Sequence, residues 1–164
     1  LALQAGVVGR CGILCRLADR RKGIAFSDMS RRSRAREVVL QVLYQDDLNP
    51  ERNLAQADQF LQNRLLRDAE LVEFGRGLLA GVRRNRPELD KLLAERAENW
   101  SLARMAVIDR NILRLGAYEL LYTDTPAAVA IDEALEMAKR YGARQSAQFV
   151  NGILDRFVKS KKGS

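Results

Sequence analysis

From residue 30 onward, apolar residues recur at spacings of three and four, and the three prolines, Pro50, Pro87 and Pro126, all fall between those periodic segments. Proline inside a helix removes a backbone hydrogen bond and clashes with the preceding turn, whereas at a helix start it does neither. A chain punctuated this way can lay down one helix after another. No stretch alternates with period two between hairpin turns, so a sheet has no place to form. The pattern predicts an all-α fold, a compact bundle of about seven helices. A domain near this length, 164 residues, hides roughly two-thirds of its unfolded surface, enough for a core.

The first predicted helix starts near Ser30 or Ser33 and runs to about Asp47, with Ala35, Val38, Val39, Val42 and Leu43 as its apolar stripe and Asn49-Pro50 as its stop. A second spans roughly 53–66, with Leu54, Ala57, Leu61 and Leu65 inward. Asp68 is the expected cap of a third, carrying Leu71, Phe74, Leu78 and Val82; its Gly75, Gly77 and Gly81 point to close approach of a neighbouring backbone. Pro87 opens a short fourth helix ending near Glu98. Ser101 is expected to cap a long fifth helix through about Tyr122, apolar on so much of its circumference that it belongs at the centre. Thr125 as cap and Pro126 as first residue start a sixth, ended by Gly142. The last runs from near Ser146 to about Val158, with Phe149, Val150, Ile153, Leu154 and Phe157 packing and a frayed tail at Lys159, Lys161 and Lys162.

Charge is distributed unevenly. The chain has 28 Lys/Arg and 21 Asp/Glu, a formal +7, and residues 1–36 hold nine of the basic groups against only Asp19 and Asp28. Residues 37–164 are therefore neutral. A neutral body behind a basic leading segment reads as a docking surface for phosphates rather than a source of diffuse attraction. The densest part is Ser30-Arg31-Arg32-Ser33-Arg34-Ala35-Arg36, entering the first helix. Guanidinium groups match phosphate oxygens and also stack on exposed bases, which suits single-stranded RNA. Residues 1–28 begin with Leu1 and read as short apolar stretches broken by Arg10, Arg16 and Arg20. They are expected to be a disordered extension or a start placed too early, ahead of Met29, with a short amphipathic helix as the rival; 29–164 is the functional domain.

Catalytic equipment is sparse. The absence of His removes imidazole acid–base chemistry, the nucleophile triads that need it and His-containing zinc sites. Cys11 and Cys15 lie alone near the N-terminus, so neither a metal nor a cofactor is expected. Asp132 and Glu133 are neighbours in a helix and point about 100° apart, so they do not converge. Glu136 is placed to pair with Arg140, and Asp109, Arg110, Arg114 and Glu119 read as ion pairs at the core edge. No apolar run approaches the ~20 residues needed to cross a bilayer, and a cytoplasmic location is expected.

Several ordered blocks resemble a known family. Arg32-Ser33-Arg34-Ala35-Arg36-Glu37 leads to Gln41-Val42-Leu43-Tyr44, then come Leu79-Ala80-Gly81-Val82, Asn99-Trp100 and Ile108-Asp109-Arg110-Asn111-Ile112-Leu113-Arg114. Tyr118-Glu119-Leu120, Val129-Ala130-Ile131-Asp132-Glu133-Ala134, Ala138-Lys139 and Phe149-Val150-Asn151-Gly152-Ile153-Leu154-Asp155 close the series. Together they are similar to the NusB family of bacterial transcription antitermination factors over essentially all of 29–164.

The resemblance implies an all-helical, non-enzymatic RNA-binding protein with two helical subdomains. It implies pairing with ribosomal protein NusE on the boxA element of ribosomal RNA leaders, and action with other Nus factors on RNA polymerase. RNA contacts are implied at Arg32, Arg34 and Arg36, with Arg31 an added basic neighbour, and at Gln145 and Phe149. Partner contacts are implied at Tyr44 and Asp109, and a homodimer is a further possibility within the family. Gln145 stands where some members carry an acid, which removes a charge that would repel phosphate, and Asp132 stands where Asn is common. Two other readings compete: the NusB-like domain of a ribosomal RNA cytosine methyltransferase, which would need a glycine-rich cofactor loop, and a helical adaptor that binds protein but not RNA.

Overall fold

The computed structural model describes residues 31–162 apart from Arg52, Leu54 and Asn99, with side chains described as far as Ser160. The expectations for residues 1–28, for Leu54 and for the side chains of Lys161 and Lys162 lie outside the described residues. Within them the chain forms seven α-helices and one 3₁₀ turn: α1 (Arg31–Leu48), α2 (Ala55–Arg64), α3 (Ala69–Arg84), α4 (Arg86–Arg96), the turn Leu102–Arg104, α5 (Val107–Tyr122), α6 (Ala127–Tyr141) and α7 (Ser146–Lys162). No strand occurs among the described residues.

Helix α5 is central, as its apolar circumference required, packing on α1, α3, α4, α6 and α7. Helix α1 is the second buried rod, and here the structure goes beyond the stripe. Every residue from Ala35 to Tyr44 is buried, including Arg36, Glu37 and Gln41. A helix can turn charged residues inward only if each finds a partner, and α1 finds them on α5 and α6. The described residues form one compact unit, so the two subdomains are not separate bodies. They survive as two groups of helices, α2 and α3 against α1, and α6 and α7 against α5.

Asp68 caps α3 by accepting the Leu71 N–H at 3.2 Å. The α3 glycines do something different from what their spacing suggested. The nearest atoms belong to side chains: Leu61, Leu65 and Val39 at Gly75, and at Gly81 the ring of Tyr118 on α5, which a Cβ would meet at 2.0 Å. Gly77 faces open space. Two helix starts also differ. Ser101 does not begin the central helix: the chain makes the 3₁₀ turn, passes through extended Met105 and Ala106, and enters α5 at Val107. Pro126 is itself the extended residue before α6, and the Thr125 hydroxyl turns to the Glu119 carboxylate at 3.3 Å instead of capping the helix. Glu136 pairs with Lys139 at 2.7 Å, leaving Arg140 to bond Glu37. Helix α7 continues past Val158 to Lys162, four residues beyond the expected end.

Candidate nucleic-acid interface

The four arginines of the basic segment share the first turns of α1 but do not share an environment. Arg31 and Arg32 are 64% and 60% exposed. Arg31 bonds Asp68, and its hydrogen bond holds the Asp68 carboxyl below the usual carboxylate range, with the Leu71 N–H adding to the effect. Glu70 lies 3.8 Å from Arg31 and 3.7 Å from Arg32. The Arg32 guanidinium also sits 5.0 Å from the centre of the Phe74 ring, a cation–π distance. The N-terminus of α1 is the positive end of the helix, so it adds to the field these side chains make.

Arg34 is largely covered and lies 3.9 Å from Glu37. Arg36 is inside. Its Nε donates to both Glu119 oxygens, at 3.0 and 2.9 Å, and its Nη2 to Oε1 at 2.7 Å. With side-chain exposures of 4% and 1%, these partners form a buried fork-to-fork pair. Glu133 stands 3.8 Å away on α6 and accepts a hydrogen bond from the Ser33 hydroxyl at 2.6 Å. Arg36 thus joins α1 to α5 and α6, and it lies beneath the surface that Arg31 and Arg32 form.

Gln145 and Phe149 belong to a different helix end. Gln145 is exposed at the entry to α7, and Phe149 is half-buried one turn further on. Its ring meets Trp100 edge-on, with centroids 5.5 Å apart and planes at 61°. Trp100, which the sequence offered only as half of the Asn99-Trp100 block, is a large aromatic left exposed. Next to Gln145, the Ser146 hydroxyl accepts the Ala143 N–H at 2.8 Å and donates to Asp109 at 2.9 Å. That bond ties the start of α7 to the start of α5, so Asp109 adjoins Gln145 through one serine. The second Asp109 oxygen is buried with no donor, and burial pushes the carboxyl's pKa up, only partly opposed by Ser146. Tyr44 is buried toward the other end of α1.

A second set of charges braces the helices from inside. Asp47 accepts from Arg110 at 3.0 Å, Asn111 at 3.1 Å and Arg114 at 2.9 Å, and pairs with Arg86. Burial pushes its carboxyl up, but Arg114, Arg110 and Arg86 together outweigh that and hold it low. Arg114 reaches on to Asp90 at 2.6 Å. This network joins α1, α4 and α5 and explains why residues 37–164 are neutral: their charges are largely used in pairs. Among the described residues no cluster of three metal-ligating side chains occurs, and no helix is long and apolar enough to cross a membrane.

The fold is that of an all-helical, non-enzymatic protein whose interior charges brace its helices and whose Arg31 and Arg32 stand exposed at one helix start. Residues 33–159 match the NusB family, and the chain belongs to it. The transcription antitermination protein NusB of Anaeromyxobacter dehalogenans is 43% identical over 127 residues, covering 77% of this chain and 89% of that one. NusB of T. maritima has the same fold, with a TM-score of 0.71 and 42% identity over 80% of this chain and 92% of the other. A chain in a crystal structure of antitermination factors NusB and NusE with dsRNA superposes with a TM-score of 0.67 at 24% identity, over 80% of this chain and 98% of that one, a likeness of fold. Family members are antitermination factors and not enzymes.

Proposed function

We propose that this protein is an RNA-binding transcription antitermination factor of the cytoplasm that joins ribosomal protein NusE on boxA-type, unpaired RNA of ribosomal leader transcripts. With other Nus factors it would render RNA polymerase resistant to termination. The observation that carries the reading is the pair Arg31 and Arg32, both exposed at the positive end of α1 and positioned there by Asp68, Glu70 and the Phe74 ring. Phosphate contacts there position the strand, and base contacts select it. Gln145 and Phe149 are the proposed base-reading groups, with Arg34 a secondary phosphate contact. Arg36, bonded to Glu119, acts by holding α1 in place.

Tyr44 and Asp109 are the proposed meeting points with NusE. That antitermination factors NusB and NusE have been crystallised together with dsRNA is in keeping with this pairing. Replacing Arg31 and Arg32 by Ala should weaken binding of a single-stranded boxA RNA and flatten its salt dependence, by about 0.7 in the log–log slope for each phosphate no longer neutralised. Adding NusE should tighten binding. Unchanged affinity and unchanged slope in the double variant would refute the role of the α1 start.

A further inference from the structure

Trp100 is the chain's one tryptophan, and 59% of it is exposed. A folded chain ordinarily covers an indole of this size. The contact with Phe149 is edge-on, which covers less of a ring than stacking does and fixes the ring's tilt. Two arginines lie close in sequence to the two rings. Arg104 closes the 3₁₀ turn after Trp100, its N–H donating to the Ser101 carbonyl at 2.9 Å, and Arg144 immediately precedes Gln145, whose carbonyl accepts the Phe149 N–H at 3.1 Å. Both arginines are exposed and neither forms an ion pair among the described residues. The nearby acid Glu98 is matched by Arg156 at 3.4 Å.

An exposed indole, packed edge-on against a second ring, with Arg104 exposed four residues further along, has the makings of a stacking platform for single-stranded nucleic acid. We propose that Trp100 is a base-stacking residue of the RNA site: an unpaired base lies on its indole, Phe149 sets the ring's tilt, and Arg104 and Arg144 hold the flanking phosphates. This rests on the RNA-binding reading above and adds to it a residue on a loop, outside the starts of α1 and α7. Unpaired RNA is favoured over a protein partner because Arg104, on the turn after Trp100, and Arg144, just before α7, are exposed and form no ion pair among the described residues.

A single tryptophan makes the test direct. Wild-type protein is titrated with a short single-stranded boxA RNA while binding is followed by anisotropy of a label on the RNA and, separately, by indole emission. Stacking should quench the emission in step with the anisotropy. Trp100→Ala should weaken binding about tenfold, within the range measured for removal of one stacked base. Trp100→Phe should stay within about twofold of wild type, and circular dichroism should show both variants folded. RNA binding with unchanged emission and undiminished affinity in Trp100→Ala overturns the platform and leaves the α1 surface standing. Emission that responds to NusE alone, with RNA affinity unaffected by the substitution, assigns the ring to protein contact and also overturns it. No RNA binding by the wild type, with or without NusE, removes the RNA reading and the platform with it.

Discussion

Replacing Arg36 by Met tests whether this arginine belongs to the interior or to the RNA surface. The methionine keeps most of the arginine stem's volume, so little cavity opens, but Glu119 is left with its carboxylate 1% exposed. Among the described residues the Thr125 hydroxyl, at 3.3 Å, stays as a donor to it. Removing one partner of a buried ion pair costs about 3–5 kcal/mol, because the other charge stays desolvated. Domains of this kind are stable by roughly 5–15 kcal/mol, so the loss is a large share of the total. At about 3 °C per kcal/mol for this size, the melting temperature should fall by about 10–15 °C. Glu119→Gln should cost less, since Arg36 keeps Glu133 at 3.8 Å and an amide oxygen to bond. Removing both charges, as Arg36→Met with Glu119→Met, should recover much of the loss. Urea unfolding followed by circular dichroism reads all three, with constant slope as the check on two-state behaviour. If Arg36→Met unfolds at the wild-type midpoint yet loses RNA affinity, the pair does not hold the helices together and the reasoning fails.

Three further outcomes are expected. Gly81→Ala should destabilise by about 1–3 kcal/mol, because the new Cβ lands 2.0 Å from a Tyr118 ring that is itself stacked on Tyr122, and a urea midpoint near wild type would refute the close approach. Gly77→Ala, with nothing within 4 Å, should stabilise by up to about 1 kcal/mol through helix propensity alone, seen as a raised midpoint in the same experiment. Asp109 has a folded-state pKa raised above its unfolded value, so its carboxylate opposes folding and stability is lost as pH rises from the unfolded pKa through the folded one. Asp109→Asn should therefore stabilise the protein at neutral pH and gain nothing below both pKa values; equal midpoints for the two proteins at pH 7 would contradict the buried, unsatisfied carboxylate.

Helix number, order and most boundaries were legible from period and punctuation. The exceptions share a cause, which is that a side chain's long-range partner outweighed its local role. Thr125 has the chemistry of a cap, but its hydroxyl serves Glu119, six residues back and inside the core. Ser101 has the same chemistry, yet the chain after it makes a 3₁₀ turn and two extended residues although Leu102, Ala103, Arg104, Met105 and Ala106 are all good helix formers. Nothing local forbids a helix there; Met105 is buried in the core while it is extended, and that packing decides. Gly81 was read as a site of close approach and is one, but a distant ring makes the approach, and spacing along a helix carries no record of what lies opposite.

The basic segment shows the limit most clearly. Arg32 and Arg36 are four residues apart, on one face of α1, and their guanidinium groups flank the same Phe74 ring at 5.0 and 5.1 Å. Periodicity assigns them the same direction, and it is right. What it cannot assign is depth: one turn further along, the face passes beneath α5 and α6, and Arg36 meets Glu119 and Glu133 where Arg32 meets water and Glu70. The compositional signal, four arginines in six residues, therefore divides into an exposed pair able to meet phosphate and an inner member that fixes the helix carrying them. Arg36 anchors the turn below Arg31 and Arg32 and so steadies the helix that carries them. Weakened RNA binding on changing Arg36 would thus not place it at the interface, and stability must be measured beside affinity for every arginine in the segment.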